Sequence, residues 1–307
     1  MSEPGRRQHP DQIRAENEWK AALGNGAGTE LALQLAGELA GYTGEDLVTV
    51  RRRMEHGTED LAALWTQRGV DPGNPDSLLA FYNAGMTEAY ELMHWHGGGL
   101  GRYPTQHVMA AWLARQVGAR RVLDYGTGVG SAAIMLARKG FEVAAADISA
   151  PLLDFARKRF AARGLEVDTF LLPRERPPRS RFDVAMCVDV FEHVPDPAGL
   201  VSEIAAYLRT GGLLVGVLYE DSTGPDRPMH VSSCGPVAEF ARRTNLWVDW
   251  RLTERIARWG GWCTVFRKLP AGGLLRRLER RLSPDAGNGR PSRAKRALEA
   301  VLPLRGT

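Results

Sequence analysis

Cysteine is scarce in this chain. Its three residues, Cys187, Cys234 and Cys263, are odd in number and widely spaced, which excludes both a disulfide framework and a Cys-x-x-Cys metal site. Long apolar runs are missing as well: nowhere do the ~18 consecutive apolar residues of a bilayer span occur. The opening stretch MSEPGRRQHPDQ has no apolar core of the kind a secretory signal needs. Charge of one sign is also in short supply, since 40 Lys and Arg face 36 Asp and Glu, a net of +4 with a sequence pI near 9.1. Such a balance hints only weakly at an anionic partner, and where the excess sits decides what it means. These absences predict a cytoplasmic globular protein and leave low-complexity character only at the ends.

The chain has 307 residues, 44% of them hydrophobic, which is more than the roughly 100–200 of one domain. Residues 1–10 are polar and aperiodic and read as a disordered lead. From 11 to 117 apolar residues recur at helical spacing, for example Leu31, Leu35 and Leu39, Leu61 and Trp65, Leu78, Tyr82 and Met86, and Val108, Met109 and Trp112. Each run follows a capping residue or Pro and stops near Gly41, Gly69, Gly97 or Gly118, so this part is predicted to be a helical cap domain. Over 118–270 the pattern becomes short apolar runs separated by helix-length segments. The runs are 121–125, 141–148, 165–172, 182–190, 212–219, 246–252 and 261–269, with helices at 131–139, 150–163, 197–209 and about 235–244. Near-continuous apolar strands alternating with helices predict an α/β, doubly wound sheet covered on both faces.

The chemistry concentrates in VLDYGTGVGS, residues 122–131. An apolar strand ends in Asp124, and Gly126, Gly128 and Gly130 then turn into a helix. Glycines at alternate positions let the backbone bend sharply and approach a ligand where a Cβ would collide. The spacing fits the dinucleotide fingerprint poorly, because its third small residue would be Ser131. Asp124 is also a poor neighbour for pyrophosphate and suits a ligand with a cationic end. Asp147 closes the next strand 21 residues beyond Gly126, where an acid in a doubly wound fold accepts hydrogen bonds from ribose hydroxyls. A nucleoside carrying an amino-acid or sulfonium group satisfies all three features.

Residues about 119–269 resemble a class I S-adenosylmethionine-dependent methyltransferase of the small-molecule group. The matching pieces are VLDYGTGVG, AAADIS (144–149), FDVAMCVDVFEHVPDP (182–197) and LRTGGLLVGVL (208–218), in order and at suitable spacing. The resemblance implies a Rossmann-like seven-stranded sheet whose last strand is antiparallel, with S-adenosyl-L-methionine as cofactor. It also implies Asp124, Gly126, Gly128 and Gly130 around the methionine part, Asp147 on the ribose with Ile148 against adenine, and Asp189 and Val190 near the sulfonium. The acid that the family often has after the third strand is missing from LLPRERPPRS. Asp168 lies within that strand, so backbone near Leu172 is the expected substitute.

His193, just past the fourth strand, and His230, on the loop crossing the same edge, are the candidate catalytic residues. Either imidazole suits a general base for a hydroxyl acceptor, and either also suits a hydrogen bond to loop backbone. Glu192 reads as an orienting or solvated carboxylate. In EAYELMHWHGGGLGRYPTQH (88–107) a metal is not expected, because His94 and His96 on a helix end point about 200° apart. A Gly97–Gly99 hinge that closes the helices over the cofactor, with Tyr103 or His107 at its methionine end, stands beside a plain interdomain turn. Trp247, Trp250 and Trp262 read as packing residues of the last two strands, and Cys187 as a small buried hydrophobe.

The predicted activity is methyl transfer to a small-molecule acceptor. A lyase or cyclase acting on the cofactor's aminobutyrate chain with release of methylthioadenosine is one alternative, and a non-catalytic adenosyl-binding partner protein is another. Residues 271–307 hold nine Lys and Arg against three Asp and Glu, leaving 31 basic against 33 acidic residues in the rest. Nucleic acid is therefore not the expected substrate. The basic tail carries Leu274, Leu275, Leu278 and Leu282 beside its arginines, a pattern open both to weak membrane-surface contact and to a solvated, partly helical or disordered extension.

Overall fold

A computed structural model describes residues 9–24, 30–99, 103–217, 227–231 and 244–270. The expected helix at 235–244 and the basic tail lie outside the described residues. The N-terminal part is helical: α1 (Pro10–Leu23), α2 (Leu31–Thr43), α3 (Leu47–Glu55), α4 (Gly57–Arg68), α5 (Pro75–Tyr82), α6 (Thr87–His96) and α7 (Thr105–Gln116). Local chemistry sets the ends. Asp46 and Asn74 accept backbone N–H groups at the starts of α3 and α5, which satisfies donors that have no partner inside the helix. The helix α2 runs through Gly41, the stop expected from sequence, and ends instead at Gly44 with φ +78°.

The remainder is β1 (Arg121–Tyr125), α8 (Ser131–Arg138), β2 (Glu142–Asp147), α9 (Ala150–Ala161), β3 (Val167–Leu171), β4 (Phe182–Cys187), α10 (Pro197–Tyr207), β5 (Leu208–Gly216), β6 (Leu246–Val248), α11 (Trp250–Arg258) and β7 (Thr264–Lys268). The sheet order is β3-β2-β1-β4-β5-β7-β6. Strands β1 to β5 pair in parallel, while β7 runs antiparallel to both β5 and β6. This is the predicted α/β Rossmann-like, seven-stranded sheet with a helical cap. Its order reverses between β1 and β4, the topological switch point at whose carboxyl ends doubly wound sheets bind ligands.

Residues 246–252 correct the sequence reading. Strand β6 stops at Val248 because the Asp249 carboxylate accepts the Leu252 amide and caps α11. Trp250 is thus helical. Trp262, expected in a strand, precedes β7 and is 48% exposed. Strand β5 starts at Leu208, directly after α10 and earlier than residue 212, and Gly211 at φ +82° gives the turn in its first half.

One face of the sheet shares its core with the cap. Trp19, Leu35 and Leu39 of α1 and α2 join Met109 and Leu113 of α7, Ile134 of α8 and Val122 and Val143 of the strands. The opposite face buries Leu123, Phe182, Phe191, Ile204, Leu214 and Phe266. A smaller cluster packs Leu61 and Trp65 of α4 and Leu78 and Phe81 of α5 against Met229. It seats the middle of the cap on the segment that carries His230, at the carboxyl edge.

Candidate active site at the carboxyl edge of the sheet

Asp124 at the end of β1 is 3% exposed, and its Oδ2 accepts a hydrogen bond from Thr127 Oγ1 at 2.7 Å. Burial raises its pKa to about 6, with the charge of Asp147 adding to the rise and the Thr127 bond opposing it. Gly126, Gly128 and Gly130 all have positive φ, at +75°, +51° and +76°. The amides of Gly126 and Thr127 both donate to Ala146 O, tying the turn to β2. A Cβ on Gly126 would lie 2.3 Å from Val190 Cγ2. Gly126→Ala therefore combines a left-handed backbone with a collision and is expected to cost about 2 kcal/mol, measurable by urea unfolding.

Asp147 ends β2, 7% exposed. Its Oδ2 accepts the Gly128 amide at 2.7 Å and its Oδ1 the Ser149 amide at 2.8 Å. Burial pushes its pKa up, and the amides pull it back. Ile148, half-buried, follows at once, and Ser149 caps α9 through its Oγ. The Leu172 amide donates to Asp147 O, so that amide is committed to the sheet edge and not open toward a base. Asp189 adopts φ +55° just beyond β4 and is exposed, and the neighbouring Val190 covers Gly126.

The cap closes over this turn. Leu92 of α6 reaches to 2.8 Å from where a Gly128 Cβ would stand. His96 Nδ1 lies 2.9 Å from Ser131 Oγ at the start of α8. His94 packs on Gly99 and Tyr103 on Gly98, each so closely that a Cβ there would collide. The Lys20 ammonium sits 4.3 Å above the Tyr103 ring. His107 stacks at a tilt on Trp19, and burial lowers its pKa to about 4. The glycines of the 97–99 segment thus serve close packing of His94 and Tyr103 in this structure.

A second polar group lies beside the first. His193, in the 3-10 turn Phe191–His193, places Nδ1 3.2 Å from Met229 O and 3.3 Å from Tyr82 Oη. The rings of His193 and His230 meet edge to face at 4.9 Å. Glu192, read from sequence as orienting or solvated, is 2% exposed, because Phe191 anchors the turn in the core and Val231 N donates to the Glu192 carbonyl. Its Oε2 has no hydrogen-bond partner among the described residues. Burial, then the charge of Asp189, raises Glu192 to about 8. Burial and the neighbouring His230 bring His193 down to about 4. Glu192, His193 and His230 hold their ligand atoms within 4.8 Å of one another, the one such group among the described residues. Sequence reasoning missed Glu88 of α6, whose pKa is raised well above the usual range by burial and by the charges of Asp147 and Glu91.

Residues 101–280 match the model of a family described as the methyltransferase domain, more than half of the chain. The chain belongs to the class I S-adenosylmethionine-dependent methyltransferase family. Its methyltransferase domain is similar to the ubiquinone biosynthesis O-methyltransferase of Xylella fastidiosa (strain 9a5c), at 39% identity over 99 residues covering 31% of this chain and 39% of that protein. The enzyme of the same name from Xanthomonas euvesicatoria pv. vesicatoria (strain 85-10) is 35% identical over 104 residues, covering 32% and 43%. The chain thus spans about two fifths of the length of the curated relatives it matches. Among solved structures it is similar to an S-adenosylmethionine-dependent methyltransferase from Clostridium acetobutylicum ATCC 824, with 19% identity, coverage of 36% and 48%, and a TM-score of 0.34. No helix among the described residues is long and apolar enough to cross a membrane.

Proposed function

We propose that this methyltransferase domain binds S-adenosyl-L-methionine in the crevice between β1, β2 and β4 and transfers its methyl group to a small-molecule acceptor held beneath α4 to α6. The observation that carries this reading is the pair of buried carboxylates, Asp124 and Asp147, flanking three positive-φ glycines at the strand-order reversal. Asp124 with Gly126, Gly128 and Gly130 would hold the methionine part, and Asp147 the ribose, with Ile148 against adenine. Asp189, Val190 and Tyr103 complete the cofactor-side set. The fit rests on the donor set: two nearly buried carboxylates flank a turn whose three glycines all have positive φ.

When bound, the cofactor supplies an electrophilic methyl group on a sulfonium. The chain's own part is to align the acceptor, exclude water and take up a proton. For a hydroxyl acceptor, Glu192 is the base best matched to neutral pH, with His193 and His230 each bringing a ring nitrogen within 4.8 Å of its carboxylate. His193, near 4, is unprotonated at neutral pH and suits a hydrogen-bond acceptor. Since Glu192 stays protonated below about 8, turnover should rise with pH toward 8 and level above it. Glu192→Gln should remove that limb and lower the rate about 100-fold. A profile flat from pH 6 to 9 in the wild type would contradict the assignment.

Residues 1–270 carry 31 basic against 33 acidic residues, and this lack of a basic surplus in the methyltransferase domain supports a small molecule over nucleic acid as acceptor. A cytoplasmic location is supported by the buried free thiols Cys187 and Cys263.

A further inference from the structure

Asn83 is the residue after α5, at the hinge between α5 and α6, and its side chain reaches the loop that follows Asp147. Its Nδ2 donates to Ile148 O at 2.9 Å and to Leu79 O at 2.8 Å, and its Oδ1 accepts the Ala150 amide at 2.9 Å. The carboxamide thus copies a strand neighbour, giving to the peptide before Ser149 and taking from the peptide after it. Between those two peptides lies Ser149, 1% exposed, whose Oγ donates to Tyr82 O at 2.7 Å and whose amide donates to Asp147 Oδ1. Three hydrogen bonds therefore pin residues 148–150 to the cap. The middle residue of that loop aims the carboxylate, whose other oxygen holds the Gly128 amide.

From this geometry we infer that Asn83 is a positioning residue for the cofactor: it fixes the loop carrying Asp147 and Ile148, so that cofactor affinity and docking of the cap on the sheet edge depend on each other. The inference rests on the reading of Asp147 and Ile148 as the ribose and adenine contacts. If the cap holds the loop in its binding form, occupation of the loop must hold the cap by the same factor, since linkage is reciprocal. The Asn83 side chain bonds Leu79, Ile148 and Ala150 and none of Glu192, His193 and His230, so its effect belongs on cofactor binding and not on the chemical step. A residue that merely glued the cap down would lower stability without separating the two.

The test is calorimetric titration of wild type and Asn83→Ala with S-adenosylmethionine and with S-adenosylhomocysteine, beside steady-state kinetics and thermal unfolding. Losing both loop bonds should weaken both nucleosides about tenfold, with KM for the cofactor rising in step and kcat changing less than twofold. Asn83→Asp keeps the acceptor for Ala150 but sets a carboxylate oxygen against Ile148 O, so it should bind no better than the alanine variant. Unchanged nucleoside affinity with a lowered melting temperature would overturn the inference. Hydrogen exchange on the wild type keeps the question open to refutation even if both variants fail to fold. Added cofactor should slow exchange in residues 75–83 and 148–152 together, and protection confined to 148–152 would overturn it. A wild type that binds neither nucleoside overturns the functional reading, and this inference with it.

Discussion

Asp147→Ala is expected to weaken S-adenosylmethionine binding about 100-fold, the largest effect of any single change on the cofactor side. Two backbone amides, those of Gly128 and Ser149, align the Asp147 oxygens, and both belong to segments at the carboxyl edge of the sheet. A hydrogen bond to a charged group contributes about 1.5–3 kcal/mol, and two ribose hydroxyls lost together amount to at least the ~2.7 kcal/mol of a 100-fold change. The fold should survive. Removing the charge relieves repulsion on Asp124 and Glu88, both of which Asp147 pushes upward in pKa, and this offsets part of the cost of the two orphaned amides. Asp147→Asn, which keeps the volume and one acceptor, should fall between wild type and alanine. Calorimetry beside circular dichroism checks both statements, and native affinity in Asp147→Ala would remove ribose recognition from this residue.

The second large effect concerns stability. Glu38→Ala should lower the unfolding free energy by about 3 kcal/mol, because Glu38 of α2 faces the guanidinium of Arg159 in α9 and that of Arg163 just beyond it. Arg159, 2% exposed, donates from Nε to Glu38 Oε2 at 2.7 Å, and Arg163, 11% exposed, pairs with Oε1. Arg159 also donates from Nη1 to Ser131 Oγ at 2.9 Å and bonds Val129 O. Without Glu38 the guanidinium stays beneath the glycine turn with no countercharge, and the burial that already lowers its pKa acts unopposed. The melting temperature should drop by roughly 5 °C for a chain of this size. Replacing Glu38 and Arg159 together with leucine should recover much of the loss, since an apolar pair avoids the desolvation cost. A change below about 1 kcal/mol for Glu38→Ala would show that water already screens the pair.

Much of the fold could be read because its signals are local. Asp124, Gly126, Gly128, Gly130 and Asp147 lie within one β-turn-α-β unit, and apolar runs announce the parallel strands around them. The region after β5 was less legible. In LWVDWRL the alternating aromatics suggest a strand, yet Asp249 caps a helix there and wins over that pattern. The site's cap side was legible only in part. The sequence placed His193 and His230 at the same sheet edge, and the structure brings their rings together, but Glu192 looked solvated, because no sequence signal tells that Phe191 draws its neighbour inward. Asn83 sits in YNAG, an ordinary turn, and its partners lie 65 and 67 residues away. Glu88 and Arg159 were hidden for the same reason: each lies on an amphipathic helix whose polar face meets another part of the chain and not solvent.

The central claim is that the crevice flanked by Asp124 and Asp147 holds S-adenosylmethionine for methyl transfer. Its most direct test is incubation of the purified chain with methyl-labelled S-adenosylmethionine and a pool of small hydroxylated and amine acceptors, with mass analysis of nucleoside and acceptor. The expected result is S-adenosylhomocysteine in step with label on one acceptor, and neither with Asp147→Ala. Methylthioadenosine as the nucleoside product, or cofactor bound but recovered intact with every acceptor, would contradict it.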